Sequence, residues 1–408
     1  MPFERIIGTQ AKNYAKEKSM RAHAATPKHP HHFHISVFLH EHMLPFVKKN
    51  AVLLIALCAA LVTTCIVPPD KAYFGYFDWK TLTCLFCVLA VVCALKNIRF
   101  FFFLAQKIVR TFKNARACVL ALAYVTFIGS MLIANDMALL TFLPLGYFVL
   151  SSTGKKKYMA FTFIIQNIAA NLGGMLTPFG NPQNLYLYNE FSIPTGEFML
   201  IMLLPFLISV GLITACCFLF VKKETLTIEE EKITLPVWRT VIYGVLFALS
   251  IVIVFRVIPF WIGLIVIPIA LLFLDRTALG KVDYGLLLTF MAFFIFSGNM
   301  ARIPAVQRIF GNLMHKNALL VSTFSCQVIS NVPSAILLSQ FTGNYKALLL
   351  GVNIGGCGTL ISSLASLITF REYTAHTPHG AKKYLLLFSA FNFAFLGILL
   401  GTCFLVTM

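Results

Sequence analysis

The fold of this chain is decided by residues 317–345, NALLVSTFSCQVISNVPSAILLSQFTGNY, which lie between Lys316 and Lys346. These 29 residues carry no charged side chain, and as one continuous helix they would extend about 44 Å. Two crossings of a bilayer core would need about 60 Å of helix, because the core is about 30 Å thick. If both lysines lie on the same side of a membrane, the stretch must enter and leave on that side. We therefore predict a re-entrant helical hairpin with Ser330 and Asn331 near its tip.

The composition of the whole chain indicates a membrane protein. Of the 408 residues, 59% are hydrophobic and 12% are charged, whereas soluble domains carry about 25% charged residues. Apolar blocks such as 51–68 and 198–221 are long enough to cross a bilayer core. The chain is predicted to be an all-α polytopic membrane protein whose surroundings are the lipid bilayer.

The charged residues separate the apolar blocks from one another. A nucleic-acid-binding protein would gather its basic residues on one face, so the net charge of +18 does not indicate a nucleic-acid partner. When the N-terminus is placed in the cytoplasm, 26 of the 33 Lys and Arg residues fall in inside segments, as the positive-inside rule requires. Residues 1–49 are then a cytoplasmic basic arm of a protein that crosses the cytoplasmic (cell) membrane many times.

Sequence motifs recur in the two halves of the chain, which indicates an internal repeat. Ile133-Ala134-Asn135-Asp136 matches Ile329-Ser330-Asn331-Val332, and Asn171-Leu-Gly-Gly-x-x-Thr177 matches Asn353-Ile-Gly-Gly-x-x-Thr359. By the basic residues, the Asn135 segment enters the membrane from the cytoplasm and the Asn331 segment enters from outside. We therefore predict inverted repeats, each with a re-entrant hairpin and a broken transmembrane helix. The predicted parts are the first repeat 50–221 (hairpin about 117–153), a charged cytoplasmic linker 222–239, and the second repeat 240–408 (hairpin about 317–345).

The hairpin tips and helix breaks are predicted to line one polar cavity, because non-helical backbone at membrane depth needs polar surroundings. Amide, hydroxyl and carbonyl oxygens suit Na⁺, and freed helix N-termini suit an anion. No Lys or Arg lies inside either hairpin. The alternative is that these residues only cap their own hairpins. The predicted ion-binding residues, with Na⁺ as the candidate metal, are Asn135, Asp136, Gly173, Thr177, Gly180, Asn331, Gly355 and Thr359.

Asp136 is the one acidic residue of fifteen that we place well inside the bilayer. An intramembrane carboxylate is a functional hypothesis by default, because its insertion is costly. Three roles remain open at this point: a Na⁺ ligand, a proton carrier, or a cap for the second arm of its hairpin.

Two stretches, ANDMALLTFLPL (134–145) and NLGGMLTPFGNPQN (171–184), resemble the ion transporter superfamily. Its members include divalent anion/sodium symporters, citrate transporters, arsenite permeases and sodium/proton antiporters, and the resemblance covers roughly residues 50–405. It implies an elevator-type homodimer that moves a small anion, a di- or tricarboxylate, coupled to Na⁺ or H⁺. The substrate-binding residues that it implies are Asn135, Asn181, Gln183, Asn184, Ser330, Asn331, Thr359, Ser362 and Ser363.

The Asn135-Asp136 tip resembles the arsenite-permease and antiporter branches more closely. A cation/proton antiporter or an arsenite-type exporter that uses Asp136 is therefore the alternative function. An enzyme is not expected, because the apolar spans hold no Ser/His, His-Glu-x-x-His or paired-Asp constellation. A nucleotide-driven pump is not expected either, since the chain has no phosphate-binding loop motif. No cofactor beyond the coupling ion is predicted.

Overall fold

The computed structural model describes residues 51–226 and 234–407. Residues Ala56–Met408 belong to one structural unit. Of the other unit, Met1–Ile55, only the start of the first helix is described. The predicted cytoplasmic arm and residues 227–233 of the predicted linker lie outside the described ranges.

The helices of the first half surround a pair that meets at Ala134. The first half contains α1 (Ala51–Ile66), α2 (Trp79–Asn97), α3 (Phe100–Arg110), α4 (Ala115–Ile133), α5 (Asn135–Ser152), α6 (Met159–Gly173), α7 (Pro182–Glu190) and α8 (Thr195–Phe220).

The second half repeats this order around a pair that meets at Ser330. It contains α9 (Val237–Val254), α10 (Phe260–Leu274), α11 (Arg276–Gly280), α12 (Tyr284–Arg302), α13 (Pro304–Ile329), α14 (Asn331–Leu338), α15 (Tyr345–Ile354), α16 (Leu364–His376) and α17 (Ala381–Thr407).

By length and composition, seven helical segments of the described residues could cross a membrane. Their outward faces carry large apolar side chains, for example Leu200 and Leu219 of α8, which are 71% and 78% exposed. Such an exposed apolar surface suits contact with lipid. The prediction of an all-α polytopic membrane protein is therefore confirmed.

Side-chain caps explain where several helices begin. The carboxylate of Asp78 accepts the Thr81 N–H at 2.9 Å at the start of α2. The carboxylate of Asp283 accepts the Leu286 N–H at 2.9 Å at the start of α12. Each Asp satisfies a backbone donor that has no partner within its own helix. The two aspartates, which open matching apolar stretches of the sequence, thus serve as matching helix caps.

Two pairs of consecutive helices meet at Ala134 and at Ser330 and form helical hairpins. Hairpin 1 consists of α4 and α5, which pack against each other. Hairpin 2 consists of α14 and the part of α13 that follows Asn317, where the backbone leaves helical geometry (φ −161°, ψ 90°). The Asn317 side chain accepts the Leu320 N–H at 2.9 Å and so starts a new helical segment. The depth of either hairpin in a bilayer, and hence re-entry, stays a prediction.

The segment that follows α8 fastens both ends of hairpin 1. The Ala115 N–H donates to the carbonyl of Glu224 at 2.7 Å where α4 begins. The carboxylate of Glu224 pairs with Lys155 at 2.7 Å and Lys157 at 2.6 Å and accepts the Tyr158 hydroxyl at 2.8 Å just beyond α5. Glu224 therefore connects the two ends of the hairpin to the start of the linker.

The C-terminal end of α7 is held by two other parts of the fold. The Asn189 amide donates to the Thr81 hydroxyl of α2 at 3.0 Å. Arg256, in the turn between α9 and α10, donates to the carbonyls of Ile193, at 3.1 Å, and of Tyr188. Its guanidinium also lies 3.7 Å from the centre of the Tyr188 ring. A cation at the carboxyl end of a helix complements the helix dipole.

Candidate functional site

The tips of the two hairpins have the same backbone conformation. Ala134 has φ 65° and ψ 152°, and Ser330 has φ 74° and ψ 159°. The next residue in each case is a buried asparagine whose Oδ1 accepts the following backbone N–H, from Asp136 or Val332, at 2.9 Å. Each asparagine therefore caps its own second arm, which is the alternative role considered from the sequence. The cap uses only the carbonyl oxygen and leaves the amide nitrogen for other partners.

Each helix break is attached to the hairpin of its own half in the same way. The Thr177 hydroxyl donates to the Met131 carbonyl at 2.8 Å, and the Thr359 hydroxyl donates to the Gln327 carbonyl at 3.0 Å. Both acceptors lie four residues before the asparagine at the tip. The internal repeat thus recurs as matching hydrogen bonds, whereas the inverted orientation of the two halves stays a prediction.

Asn171 connects hairpin 1 to the break in the second half. Its Oδ1 accepts the Asn135 amide at 3.1 Å and the Ser363 hydroxyl at 2.8 Å. All three residues are buried. A side chain in the first half therefore contacts the tip of its own hairpin and the start of α16 at once.

Asn353, at the matching position of the second half, makes the reciprocal connection. Its amide donates to the Asn184 Oδ1 at 2.6 Å, and its own Oδ1 accepts the Asn181 amide at 3.4 Å. On the same side, the Asn331 N–H donates to the Ser362 carbonyl at 2.9 Å, and the Ser330 hydroxyl approaches that carbonyl at 3.4 Å. The structure thus brings most of the predicted substrate residues together in hydrogen bonds that cross between the halves, whereas the Gln183 side-chain oxygen has no partner among the described residues.

The backbone carbonyls at the helix breaks, which we expected to bind Na⁺, already accept hydrogen bonds from side-chain amides. The Asn184 Nδ2 lies 3.2–3.4 Å from the carbonyl oxygens of Gly174, Met175 and Thr177. The Gln327 Nε2 lies 2.9 Å from the Gly355 carbonyl oxygen and 3.0 Å from that of Cys357. In each half, an amide nitrogen therefore occupies the centre of the carbonyl group that the break exposes.

The glycines predicted to bind ions lie where chain segments approach one another closely. A Cβ added to Gly173 would lie 2.1 Å from the Phe127 carbonyl oxygen. At Gly180 and Gly355 it would lie 2.3 Å and 2.7 Å from the carbonyl oxygens of Gly174 and Gly351. Their observed role is to permit this packing, and ion binding through their carbonyls stays a prediction.

Several polar atoms of the site are buried without a hydrogen-bond partner among the described residues. They are Asp136 Oδ1, Asn171 Nδ2, Asn181 Oδ1 and Gln183 Oε1. A buried polar atom without a partner is destabilising by about 1–3 kcal/mol, so such atoms are candidates for ligand contacts. They include donors and acceptors but no cationic group.

Sequence reasoning missed Asn171, Asn353 and Gln327 as site residues. The first two could have been found, because they precede the Gly-Gly pair at the same position in both halves. Gln327 offered no such signal, since its counterpart in the first half is Met131. It contacts the loop that contains Gly358, which has a φ of +122°. Because Gly358 has no side chain, it leaves room for the Gln327 side chain.

Two hairpins whose tips contact two helix breaks make up the candidate site of an all-α membrane protein. A family model described as citrate transporter matches residues 37–344. The chain belongs to this citrate transporter family, and the predicted membership of the ion transporter superfamily is confirmed. It is accordingly a transporter and not an enzyme, as the sequence indicated.

The curated relatives agree with this assignment. The chain is 34% identical over 303 residues to an uncharacterized transporter of Methanocaldococcus jannaschii, covering 73% of this chain and 82% of the relative. It is 29% identical over 314 residues to an inner membrane protein of Escherichia coli, covering 74% and 82%. It is also 29% identical over 148 residues to a silicon efflux transporter of Oryza sativa subsp. japonica, covering 36% and 30%.

Proposed function

We propose that the chain is a secondary active transporter that carries a small anion, a di- or tricarboxylate, by an elevator-type movement. The observation that supports this most directly is the set of hydrogen bonds at the tips and breaks. Asn171 joins the tip of hairpin 1 to the break of the second half, Asn353 contacts the break of the first half, and the tip of hairpin 2 contacts the Ser362 carbonyl. The helices α5, α7, α14 and α16 all begin at this network. Their N-terminal ends carry partial positive charge, which favours an anion.

The hydrogen-bond donors of the network suit carboxylate groups. The Asn171 Nδ2 is buried without a partner among the described residues, and residues 117–153 and 317–345 contain no Lys or Arg. A substrate held by amides, hydroxyls and helix ends is bound less strongly than one held by a buried cation. We infer that such a site suits a transporter, because the substrate must also leave.

We propose H⁺ as the coupling ion, with Asp136 as its carrier. The Oδ1 of Asp136 is buried without a partner among the described residues, so a proton there would give that oxygen a donor function. Na⁺ is less favoured, because the amides of Asn184 and Gln327 already contact the carbonyls that would surround it. Na⁺ ligation by Asn135, Thr177 and Asp136 is the competing form of the same proposal.

Uptake of labelled citrate and succinate into proteoliposomes tests both parts of the proposal. We expect a pH gradient to drive accumulation of one of these anions and a Na⁺ gradient alone to have little effect. Accumulation that follows Na⁺ and ignores pH would reject Asp136 as the proton carrier but would keep the transport function. If neither anion is transported under either gradient, the proposed substrate class is wrong.

The variant Asp136→Asn separates the possible roles of this carboxylate. We expect it to lose accumulation against a gradient and the pH dependence of transport, while exchange of substrate across the membrane continues. A Na⁺ ligand would instead give a variant that needs more Na⁺ and keeps its pH profile. A mere cap would give nearly normal coupled transport, since Asn caps a helix about as well as Asp. Asp70→Asn, at an ion pair with Arg302 outside the site, is the control.

A second candidate is export of a neutral hydroxylated acid in exchange for protons. The lack of Lys and Arg in residues 117–153 and 317–345 and the similarity to a silicon efflux transporter favour it. Efflux of silicic acid or arsenite from loaded vesicles, driven by an inward proton gradient, would distinguish this function from carboxylate uptake.

We further propose a homodimer in the cytoplasmic membrane with the N-terminus inside.

A further inference from the structure

An apolar groove lies between α3 and α4, apart from the amide network. Its volume is about 280 Å³. Its lining includes Phe100 and Leu104 of α3, Phe112 of the turn between α3 and α4, Ala121 and Ile128 of α4, and Phe142 of α5. Leu104 and Ile128 are 46% and 56% exposed. The groove therefore offers an open apolar surface along the first arm of hairpin 1.

The length of this α3–α4 groove suits a lipid chain. On α4 the lining extends from Ala117 to Leu132, a rise of about 22 Å along the helix. One leaflet contributes about half of a hydrocarbon core about 30 Å thick. A single acyl chain that enters from one leaflet can therefore fill about two thirds of the length of the groove.

Exposed positive charges lie beside the groove. Lys107 follows the lining residue Leu104 by three positions on α3, and Lys113 directly follows Phe112. Both side chains are exposed, and neither forms an ion pair with an acid of the described residues. Two exposed lysines at one end of an apolar groove favour the phosphate group of an anionic lipid.

We propose that the α3–α4 groove binds one anionic phospholipid, with an acyl chain along α4 and the phosphate beside Lys113 and Lys107. The lipid would complete the packing of the arm that carries Asn135 at its end. This binding does not depend on the identity of the transported substrate.

Native mass spectrometry of the full chain, delipidated and mixed with equal phosphatidylglycerol and phosphatidylcholine, tests the proposal. We expect one retained phospholipid per chain and a preference for phosphatidylglycerol of at least severalfold. The double variant Lys107→Gln/Lys113→Gln should lose the preference, whereas the control Lys382→Gln/Lys383→Gln, which removes the same charge elsewhere, should keep it. Ala121→Phe, which narrows the groove, should reduce retention of both lipids.

Other outcomes would overturn the proposal. Equal retention of the two lipids by the unaltered chain, or an unchanged preference in Lys107→Gln/Lys113→Gln, would exclude the anionic lipid. If Ala121→Phe changes the oligomeric state and leaves lipid retention intact, the groove is an interface between copies of the chain. Thermal melting of each variant would identify a loss of folding, and rescue of retention by Ala121→Ser would then separate folding from groove shape.

Discussion

Asn135 and Asn331 occupy equivalent tips but differ in what their amides contact. Both cap the arm that follows, and Asn135 also donates to Asn171. Replacing either by alanine removes a cap, which costs about 1 kcal/mol, and a polar group of the site. We expect Asn135→Ala and Asn331→Ala to insert and fold but to lose nearly all transport in the uptake assay.

Asn344→Ala is the matched control for this pair. Asn344 also caps a helix, by accepting the Ala347 N–H at 3.2 Å, but it lies outside the network. It should lose a similar amount of stability and keep transport. Near-normal uptake by both tip variants would remove the asparagines from the proposed site.

Whether the sequence predicts a contact of the site depends on how far apart its two residues lie along the chain. Asn135, Asn331, Thr177 and Thr359 are recognisable because each repeats within a short motif. The links through Asn171 and Asn353 are not, because they join residues about 170–190 positions apart, and only packing brings these together. Gln327 lies in neither repeated motif, so its role becomes visible only in the folded chain.

At the scale of elements, Glu224 connects the linker to both ends of hairpin 1. Its hydrogen bond with Lys155, followed by those with Lys157 and Tyr158, lowers the pKa of the Glu224 carboxyl to about 2. A carboxyl whose pKa is lower in the folded state stabilises the fold above its unfolded pKa, which is near 4.5. That contribution is lost as the pH falls from there through about 2.

We therefore expect Glu224→Gln to melt at a lower temperature than the unaltered chain at neutral pH. The difference should shrink as the pH falls below 4.5 and vanish near 2, which thermal melting in detergent at several pH values would measure. Lys156→Gln is the control, because Lys156 lies between two partners of Glu224 but is not paired with it. A difference that is independent of pH would contradict an ionic role.

The elements themselves follow from the sequence more directly than the site does. A charge-free stretch too short to cross twice predicts hairpin 2, its repeat in the first half predicts hairpin 1, and Gly-Gly pairs followed by Pro or Ser predict breaks. These rules depend on length and on backbone conformation, which are local properties. The contacts of the Glu224 side chain are not local, because its partners lie 66–69 positions away in the sequence.

For the whole molecule, the predicted inverted topology has a direct test. A cysteine placed at Thr153, directly after the last residue of α5, should react with a membrane-impermeant maleimide only from the cytoplasmic side. A cysteine at Gly343, between α14 and α15, should react only from outside. The exposed native Cys58 and Cys65 must first be replaced by serine. Labelling of both sites from the same side would contradict inverted repeats.

Elevator movement requires contacts between moving and fixed helices to break. Helix α2 packs against α9 and α10, and in this proposal these three helices are fixed. Helix α7 begins at the site and would move with it. The contact between Asn189 and Thr81 at 3.0 Å therefore joins a moving helix to a fixed one. Thr81→Cys/Asn189→Cys should be bridged by Hg²⁺, which binds two thiols. Bridging should stop transport, and removing Hg²⁺ with excess dithiol should restore it.

The two single-cysteine variants control for direct effects of mercury on the native thiols. Transport that continues at full rate in a bridged double variant would mean that α7 and α2 keep their contact throughout the cycle. The elevator proposal would then be wrong for this pair of helices, whichever substrate is carried.

The contact between Asn171 and Ser363 also limits how the chain can be made. The two residues are 192 positions apart, and at synthesis rates of about 5–20 residues per second the second follows the first by roughly 10–40 s. Throughout that interval the nascent first half carries buried amides whose partners do not yet exist. The first half must therefore stay hydrated or loosely packed at the translocon, and the duplicated halves can mature only together.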